Sequence, residues 1–446
     1  MDFASLLPSF GGFAFTVLAF VVALMVIVFV HEMGHYLVGR WSGIKADVFS
    51  IGMGPRLWSR VDKHGTRWQI AALPIGGYVQ FHGDANASSA GADEAALAQM
   101  DEQERRRTMH GAPLWARAAT VAAGPVANFI LSVVIYTAMA LGQGYATDPL
   151  TVDRLYPIDG LEGTLAPGDE ILAIDGRPIP ELAEFGAFVD TLPDASPLEW
   201  QVRRAGDVTT IVAPHPYPAF VGAVTPQLPA AEAGLQAGDL IEAVDGAPIN
   251  RFERLREIVG AGDGATLTLT VNRAGERFEL ALTPKRVDLP NPEGGFETRW
   301  LIGISGGLLF EPMRESPGLF EALWGGVTQV KYLIQVSLTG FYEIATGGIS
   351  TCNIRGPIGI AETSGAAAAQ GGMSFILLIA VLSTAIGLIN LFPIPVLDGG
   401  HLVFHVWEAL TGKPPSPRAL SILTAIGLAL VVSLMVFGLS NDLFCG

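Results

Sequence analysis

The stretch FVHEMGHYL, Phe29 to Leu37, places two histidines and a glutamate at the end of an apolar run. Residues four apart share one face of a helix, so His31 and His35 can offer imidazole nitrogens to a single metal ion. Glu32, one position round, can reach a water beside that ion. Zinc in such a site polarises a carbonyl and lowers the pKa of water toward about 7, while the carboxylate takes the water's proton and later delivers it to a leaving amine. A lone histidine here would read as an interfacial side chain ending a helix. All three residues at this spacing read as one Zn2+ ion and its general base.

Two histidines leave such a site incomplete, because catalytic zinc usually has three protein ligands and one open position. Asp398, in NLFPIPVLDGGH from Asn390 to His401, is the candidate third ligand. Pro393 and Pro395 break the helix just before it, and Gly399 and Gly400 let the chain turn. Irregular backbone at membrane depth needs protein or a water-filled cavity around it, and hydrolysis needs that water. Two other readings stay open. Asp398 could cap a helix or turn, or a different ligand set could use His401, which with His405 repeats the four-residue spacing.

The elements that must position these groups lie in lipid. Half of the residues are hydrophobic, only 16% are charged, and mean hydropathy is +0.41, against about 25% charged residues in an average soluble domain. Four uncharged runs are long enough for a spanning helix, which needs roughly 20 residues: Gly11 to Val30, Ala118 to Leu141, Met373 to Leu397 and Ala419 to Ser440. The first runs into HEMGH instead of a small-residue cleavage site, so it reads as a retained helix and not a signal peptide. No Lys or Arg precedes His31, whereas the stretch from His31 through Arg117 contains ten; basic loops stay in the cytoplasm. Both termini and the block Gly142 to Gly372 are therefore expected outside, with HEMGH and Asp398 near the cytoplasmic side.

That external block holds 15 basic and 30 acidic residues. Such acidity argues against nucleic-acid binding. Within it, GDEILAIDGRPI (Gly168 to Ile179) returns as GDLIEAVDGAPI (Gly238 to Ile249), offset by 70 residues, and each copy precedes a pair of alternating strands around Ala-Gly. The period is one small domain. VTPQLPAAEAGLQAGDLIEAVDGAPI, Val224 to Ile249, resembles the core of a bacterial protease-type PDZ domain, and the first copy a more degenerate one. Such domains usually bind extended peptides; the alternative is a pair of spacers or size filters without a ligand. Cys352 and Cys445 make neither a zinc spacing nor a disulfide framework, though both fall on the oxidising side.

HEMGH in the first span, AAGPVANF (Ala122 to Phe129) in the second, two PDZ-like domains, and NLFPIPVLDGG in the third together resemble the site-2 protease family of intramembrane metalloproteases. The resemblance covers almost the whole chain. It implies zinc ligation by His31, His35 and Asp398, with Glu32 as general base and acid. It implies cleavage of single-pass membrane proteins in a bacterial inner membrane, typically an anti-sigma factor already trimmed outside, and clearance of remnant signal peptides. Asn128 and Asn390 match family asparagines that engage or support substrate; a buried amide tying helices together is the other reading of each. The family also has a membrane-reentrant β-loop where RWQIAALPIGGYVQFHGD, Arg67 to Asp84, stands here. Gly76, Gly77 and Tyr78 in that stretch are candidate substrate contacts, since an exposed strand edge could hold an unwound substrate; a soluble hairpin that only packs the loop is the alternative.

The expected architecture is a polytopic α-helical membrane protein with four transmembrane helices, a cytoplasmic-side membrane-associated β-hairpin and two periplasmic PDZ-like α+β domains. Its segments are the first helix (1–40), a cytoplasmic loop holding the hairpin at 67–84 (41–116), the second helix (117–144), PDZ-like domains at 145–220 and 221–288, a linker with an amphipathic helix at the membrane surface (289–372), the third helix with LDG (373–400), and a loop with the fourth helix (401–446). Gly83 to Glu104, rich in Ala, Ser, Gly and acids, reads as a flexible loop. The expected partners are a single-pass membrane substrate, lipid, and peptide ligands of the PDZ-like domains. A non-catalytic peptide-binding or metal-handling membrane protein is the competing function; it has no need for Glu32.

Overall fold

The computed structural model describes residues 6–84, 99–156, 165–291 and 294–445; most of the loop expected at Gly83 to Glu104 lies outside them. The chain divides into two compact units, one of residues 1–138, 319–344 and 350–446 and one of residues 139–318 and 345–349.

The first unit is helical. Its long elements are α1 (Leu6–Trp41), α2 (Leu114–Gln143), α3 (Leu319–Thr346), α4 (Pro357–Ala369), α5 (Gly372–Asn390), α6 (Asp398–Thr411) and α7 (Pro417–Phe444). Among the described residues four helices are long and apolar enough to cross a membrane: Gly12–Trp41, Leu114–Gln143, Gly372–Asn390 and Pro417–Phe444. The protein is thus a polytopic membrane protein, and helices solve its main problem by satisfying every backbone group internally. Small residues draw the helices together. A Cβ on Gly34 of α1 would lie 2.3 Å from the Ala123 carbonyl oxygen of α2, so only glycine permits this approach. Hydroxyls then join α2 to α5: Ser132 Oγ donates to the Ala380 carbonyl at 2.7 Å and Ser383 Oγ to the Asn128 carbonyl at 2.9 Å.

Two features of this unit depart from expectation. Cys352 and Cys445 form a disulfide, although two cysteines with no patterned spacing predict none. It clasps the end of α7 to the start of α4, beside Asp442, whose carboxylate accepts from the backbone N–H groups of Gly356, Ile358 and Gly359. The β element is also larger than a hairpin at 67–84. Strand β2 (Arg67–Phe81) pairs with a second long strand, β1 (Ala46–Val61), which the sequence hides behind Gly52, Gly54 and Pro55. Both strands bend, so Ser50 stands opposite Tyr78 on one side and Gln69 on the other. An aromatic cluster of Tyr36, Phe49 and Trp68, with Phe49 and Trp68 stacked at 4.5 Å, seats the sheet on α1.

The second unit holds two similar modules. One sheet has the order Arg177–Pro178, Glu170–Ile174, Leu198–Arg204, Asp207–Ala213; the other has Ala247–Pro248, Leu240–Val244, Leu267–Arg273, Glu276–Leu282. The sequence repeat is therefore a structural repeat, down to an ion pair between a buried aspartate and a partly exposed arginine. Asp169 meets Arg204 through two bonds of 2.7 Å, and Asp239 meets Arg273 at 2.7 and 2.8 Å. Ala205 and Ala274 adopt positive φ beside Gly206 and Gly275, the twist that suits a tight hairpin. The expected boundaries need revision, because residues 296–315 are not a linker. Ile304–Ser305 pairs with Ala223–Val224 in the second module, whereas Phe310–Pro312 and Arg314–Glu315 return to Val152–Leu155 and Tyr145–Ala146 of the first. The second module is inserted within the first, covering short strand edges that would otherwise lack partners.

Candidate active site

Helix α1 carries His31 and His35 on the face turned to α2 and to the start of α6. Their Nε2 atoms lie 3.1 Å apart. Asp398, the first residue of α6, brings Oδ2 to 3.1 Å from His31 Nε2 and Oδ1 to 3.6 Å from His35 Nε2. Among the described residues these three form the metal-competent group, with one ligand atom from each lying within 4.8 Å of the others. Asp398 does not cap its helix; Leu397 holds the cap position, without a side-chain bond. His401, the alternative ligand, and His405 one turn on line the same cavity of about 630 Å3 but do not join that group.

What stands behind each imidazole decides which nitrogen faces forward. His35 Nδ1 lies 2.8 Å from the Thr120 carbonyl, which can only accept, so Nδ1 carries the proton and Nε2 presents a lone pair. His31 Nδ1 lies 3.3 Å from the amide of fully buried Asn128, whose Oδ1 has no partner when the amide nitrogen faces the ring. Amide orientation follows from the hydrogen-bond network. Turned over, Asn128 Oδ1 accepts from His31 Nδ1–H. Both Nε2 lone pairs then point at one place beside a carboxylate, an arrangement that a cation must bridge. Two imidazoles and a carboxylate are donors suited to zinc, so the residues fit the ion.

Sequence reasoning missed two contributors, Gly124 and Val79. A Cβ on Gly124 of α2 would lie 2.3 Å from His35 Nε2 and 2.8 Å from His31 Cε1; glycine at this point in AAGPVANF makes room for the rings. Glu32 lines the cavity, and Val79 at the β2 edge turns its backbone N–H toward the Glu32 carboxylate. Gly77 sits close against α1, where a Cβ would meet Val28 at 2.9 Å and Glu32 Cγ at 3.3 Å. Of the expected substrate contacts, Gly77, Tyr78 and Asn390 line the cavity. Tyr78 is held there by a bond from Gln69 Nε2 to its hydroxyl at 3.1 Å. Gly76 takes a positive φ of +80° at the bend of β2, and Asn128 stands behind His31.

Farther along α6, Glu408 grips Arg117 of α2 through bonds of 2.6 and 2.9 Å. The guanidinium holds the Glu408 carboxyl below its usual range. Burial, followed by the charges of Arg117 and His401, pushes His405 down to about 4.

Four spans and an HExxH in a cavity with a carboxylate from a distant helix define a membrane metallopeptidase. Comparison with known proteins bears this out: residues 19–434 match Peptidase family M50, and the chain belongs to that family. It is 36% identical over 432 residues to a protein of Agrobacterium fabrum (strain C58) whose name marks it as a candidate zinc metalloprotease, covering 96% of this chain and 95% of the relative. A regulator of sigma E protease of Haemophilus influenzae is 32% identical over 463 residues, covering 97% and 99%. One of Salmonella typhimurium (strain 14028s), the regulator of sigma-E protease RseP, is 31% identical over 466 residues, covering 95% and 97%. The chain is a zinc-dependent membrane protease.

Proposed function

We propose that this chain is an endopeptidase that cuts within transmembrane segments of single-pass proteins as a step of regulated intramembrane proteolysis. The substrates would be an anti-sigma factor after a first cut outside the membrane, in line with the names of two relatives, and remnant signal peptides. The observation that carries the reading is the meeting of His31, His35 and Asp398 at one point, with Glu32 in the same cavity.

In this reading His31, His35 and Asp398 hold one zinc ion, which when bound polarises the scissile carbonyl and acidifies water. Glu32 takes the proton of the attacking water and passes it to the leaving amine nitrogen, opening the C–N bond. A helical peptide bond is shielded, so the substrate must be extended before attack. The edge of β2 at Gly77 to Phe81 is placed to pair with it, with Tyr78 and Asn390 beside it. The basic loop favours a cytoplasmic site in a bacterial inner membrane, with both termini and the two modules in the periplasm. The modules act there as PDZ-like domains that bind peptides or filter substrates by size.

Glu32→Gln tests the reading. Cleavage of a model transmembrane substrate should disappear while zinc content stays equal to wild type. Unchanged cleavage would remove Glu32 from the chemistry and leave a metal-handling protein as the better account.

A further inference from the structure

His401 has no part in the proton transfers assigned to Glu32, yet it stands in the same cavity as His31, Glu32, His35 and Asp398. It lies three residues beyond Asp398 on α6, and side chains three apart on a helix are neighbours, about 5–6 Å between Cβ atoms. The first turn of α6 is held firmly. A Cβ on Gly399 would lie 2.3 Å from the Leu391 carbonyl oxygen, and one on Gly400 2.3 Å from that of Ile394. Bare backbone is thus pressed against the preceding segment, and His401 is carried on a rigid base.

The ring is free where its neighbours are tied. His35 and His31 are each held through Nδ1, Tyr78 through its hydroxyl and Arg117 by Glu408. Among the described residues neither ring nitrogen of His401 has a hydrogen-bond partner, and neither nitrogen is buried, so both open onto the cavity. The ring rests edge-on against Phe404, with centroids 6.1 Å apart, a contact that uses no polar atom. Burial lowers its pKa while Asp398 raises it and His35 lowers it, so the ring lies within the field of both ligands. Neutral or charged, an imidazole keeps an N–H to donate.

When water adds to a scissile carbonyl, its oxygen bonds to the carbon, the second electron pair of C=O moves onto the carbonyl oxygen, and Glu32 takes the water's proton. That oxygen carries negative charge until the C–N bond opens, when the pair returns to C=O and the proton goes to the amine nitrogen. We propose that His401 donates an N–H hydrogen bond to this carbonyl oxygen as it becomes negative, a catalytic residue in addition to Glu32. His401 transfers no proton. A fixed donor of this kind favours the transition state over the ground state, and losing one costs about 100–1000-fold in kcat. The assignment rests on the hydrolytic reading of the cavity.

The test compares the full zinc-loaded chain in detergent as wild type, Glu32→Gln, His401→Leu and His401→Gln. On a model transmembrane substrate His401→Leu should lose about 100–1000-fold in kcat, with KM and zinc content unchanged. His401→Gln, whose amide keeps an N–H, should recover part of that loss. A second readout needs no turnover: a peptide with a phosphinic group in place of the scissile amide carries charged oxygens on a tetrahedral centre. His401→Leu should weaken its binding about 100-fold, whereas uncut substrate should bind Glu32→Gln and the Glu32→Gln, His401→Leu double variant equally. Loss of zinc would make the imidazole a ligand, and a raised KM with kcat intact would make it a grip on the substrate; either overturns the proposal, as does unaltered phosphinic affinity. If His401→Leu does not fold, His401→Gln decides alone, by weaker phosphinic binding beside equal binding of uncut substrate. Full cleavage by Glu32→Gln would remove the hydrolytic reading and this proposal with it; an active His401→Leu beside an inactive Glu32→Gln would overturn this proposal only.

Discussion

His31 and His35 face each other through Nε2 atoms 3.1 Å apart, and each ring is held from behind, His35 by the Thr120 carbonyl and His31 by Asn128. The two rings are thus oriented by α2 before any ligand arrives. Groups behind a ligand that fix its tautomer matter nearly as much as the ligand itself.

The first prediction concerns Asn128. Asn128→Leu keeps the volume and removes the acceptor for His31 Nδ1–H, so zinc affinity should fall about 10–100-fold, as read by competition with a chelator. A rise in KM with zinc affinity intact would instead place Asn128 on the substrate.

Gly124→Ala should act through shape alone. Alanine normally favours a helix over glycine by about 1 kcal/mol, yet its Cβ would fall 2.3 Å from His35 Nε2. Displacing a ring by an ångström costs about 100-fold in rate. Cleavage and zinc retention should therefore drop; full activity would show that the helices separate freely.

The parts legible in the sequence were those whose chemistry lies in local spacing. HEMGH marked two imidazoles and a carboxylate that share one cavity, and the prolines and glycines around Asp398 marked a break where a further carboxylate turns inward to meet the rings. The Gly168 and Gly238 repeat likewise foretold two modules. The rest depends on what the fold brings close. Gly124 matters because of where α1 crosses α2, and Val79 because β2 lies along Glu32. The first long strand was hidden by Gly52, Gly54 and Pro55, which interrupt its alternation. The returning strands at 304–315 are two or three residues long, too short for a period to register, and Cys352 and Cys445 are separated by 93 residues, with no pattern between them.

Glu408 and Arg117 should behave as a coupled pair. Their side chains are 19% and 15% exposed, so Glu408→Gln leaves a half-buried guanidinium without its charge partner and should cost about 1–3 kcal/mol in detergent melts. Adding Arg117→Gln should recover part of that loss. Strict additivity of the two changes would show that the contact is not energetically significant.

His405 gives the stability a pH dependence. Its folded pKa of about 4 lies below the ordinary value of 6.5, so the unfolded chain binds the extra proton first. Stability from this group is complete above about pH 6.5 and is lost as pH falls toward 4, by about 2–3 kcal/mol. His405→Gln should flatten that part of the stability curve. Parallel curves for wild type and variant would mean that the ring already takes up its proton in the folded state.

The most direct measurement is the zinc content of purified wild type, Asp398→Ala and Glu32→Gln. One ion per chain is predicted for wild type and Glu32→Gln, with little or none in Asp398→Ala after brief chelation. Full occupancy in Asp398→Ala would contradict a site closed by a carboxylate from the far end of the chain.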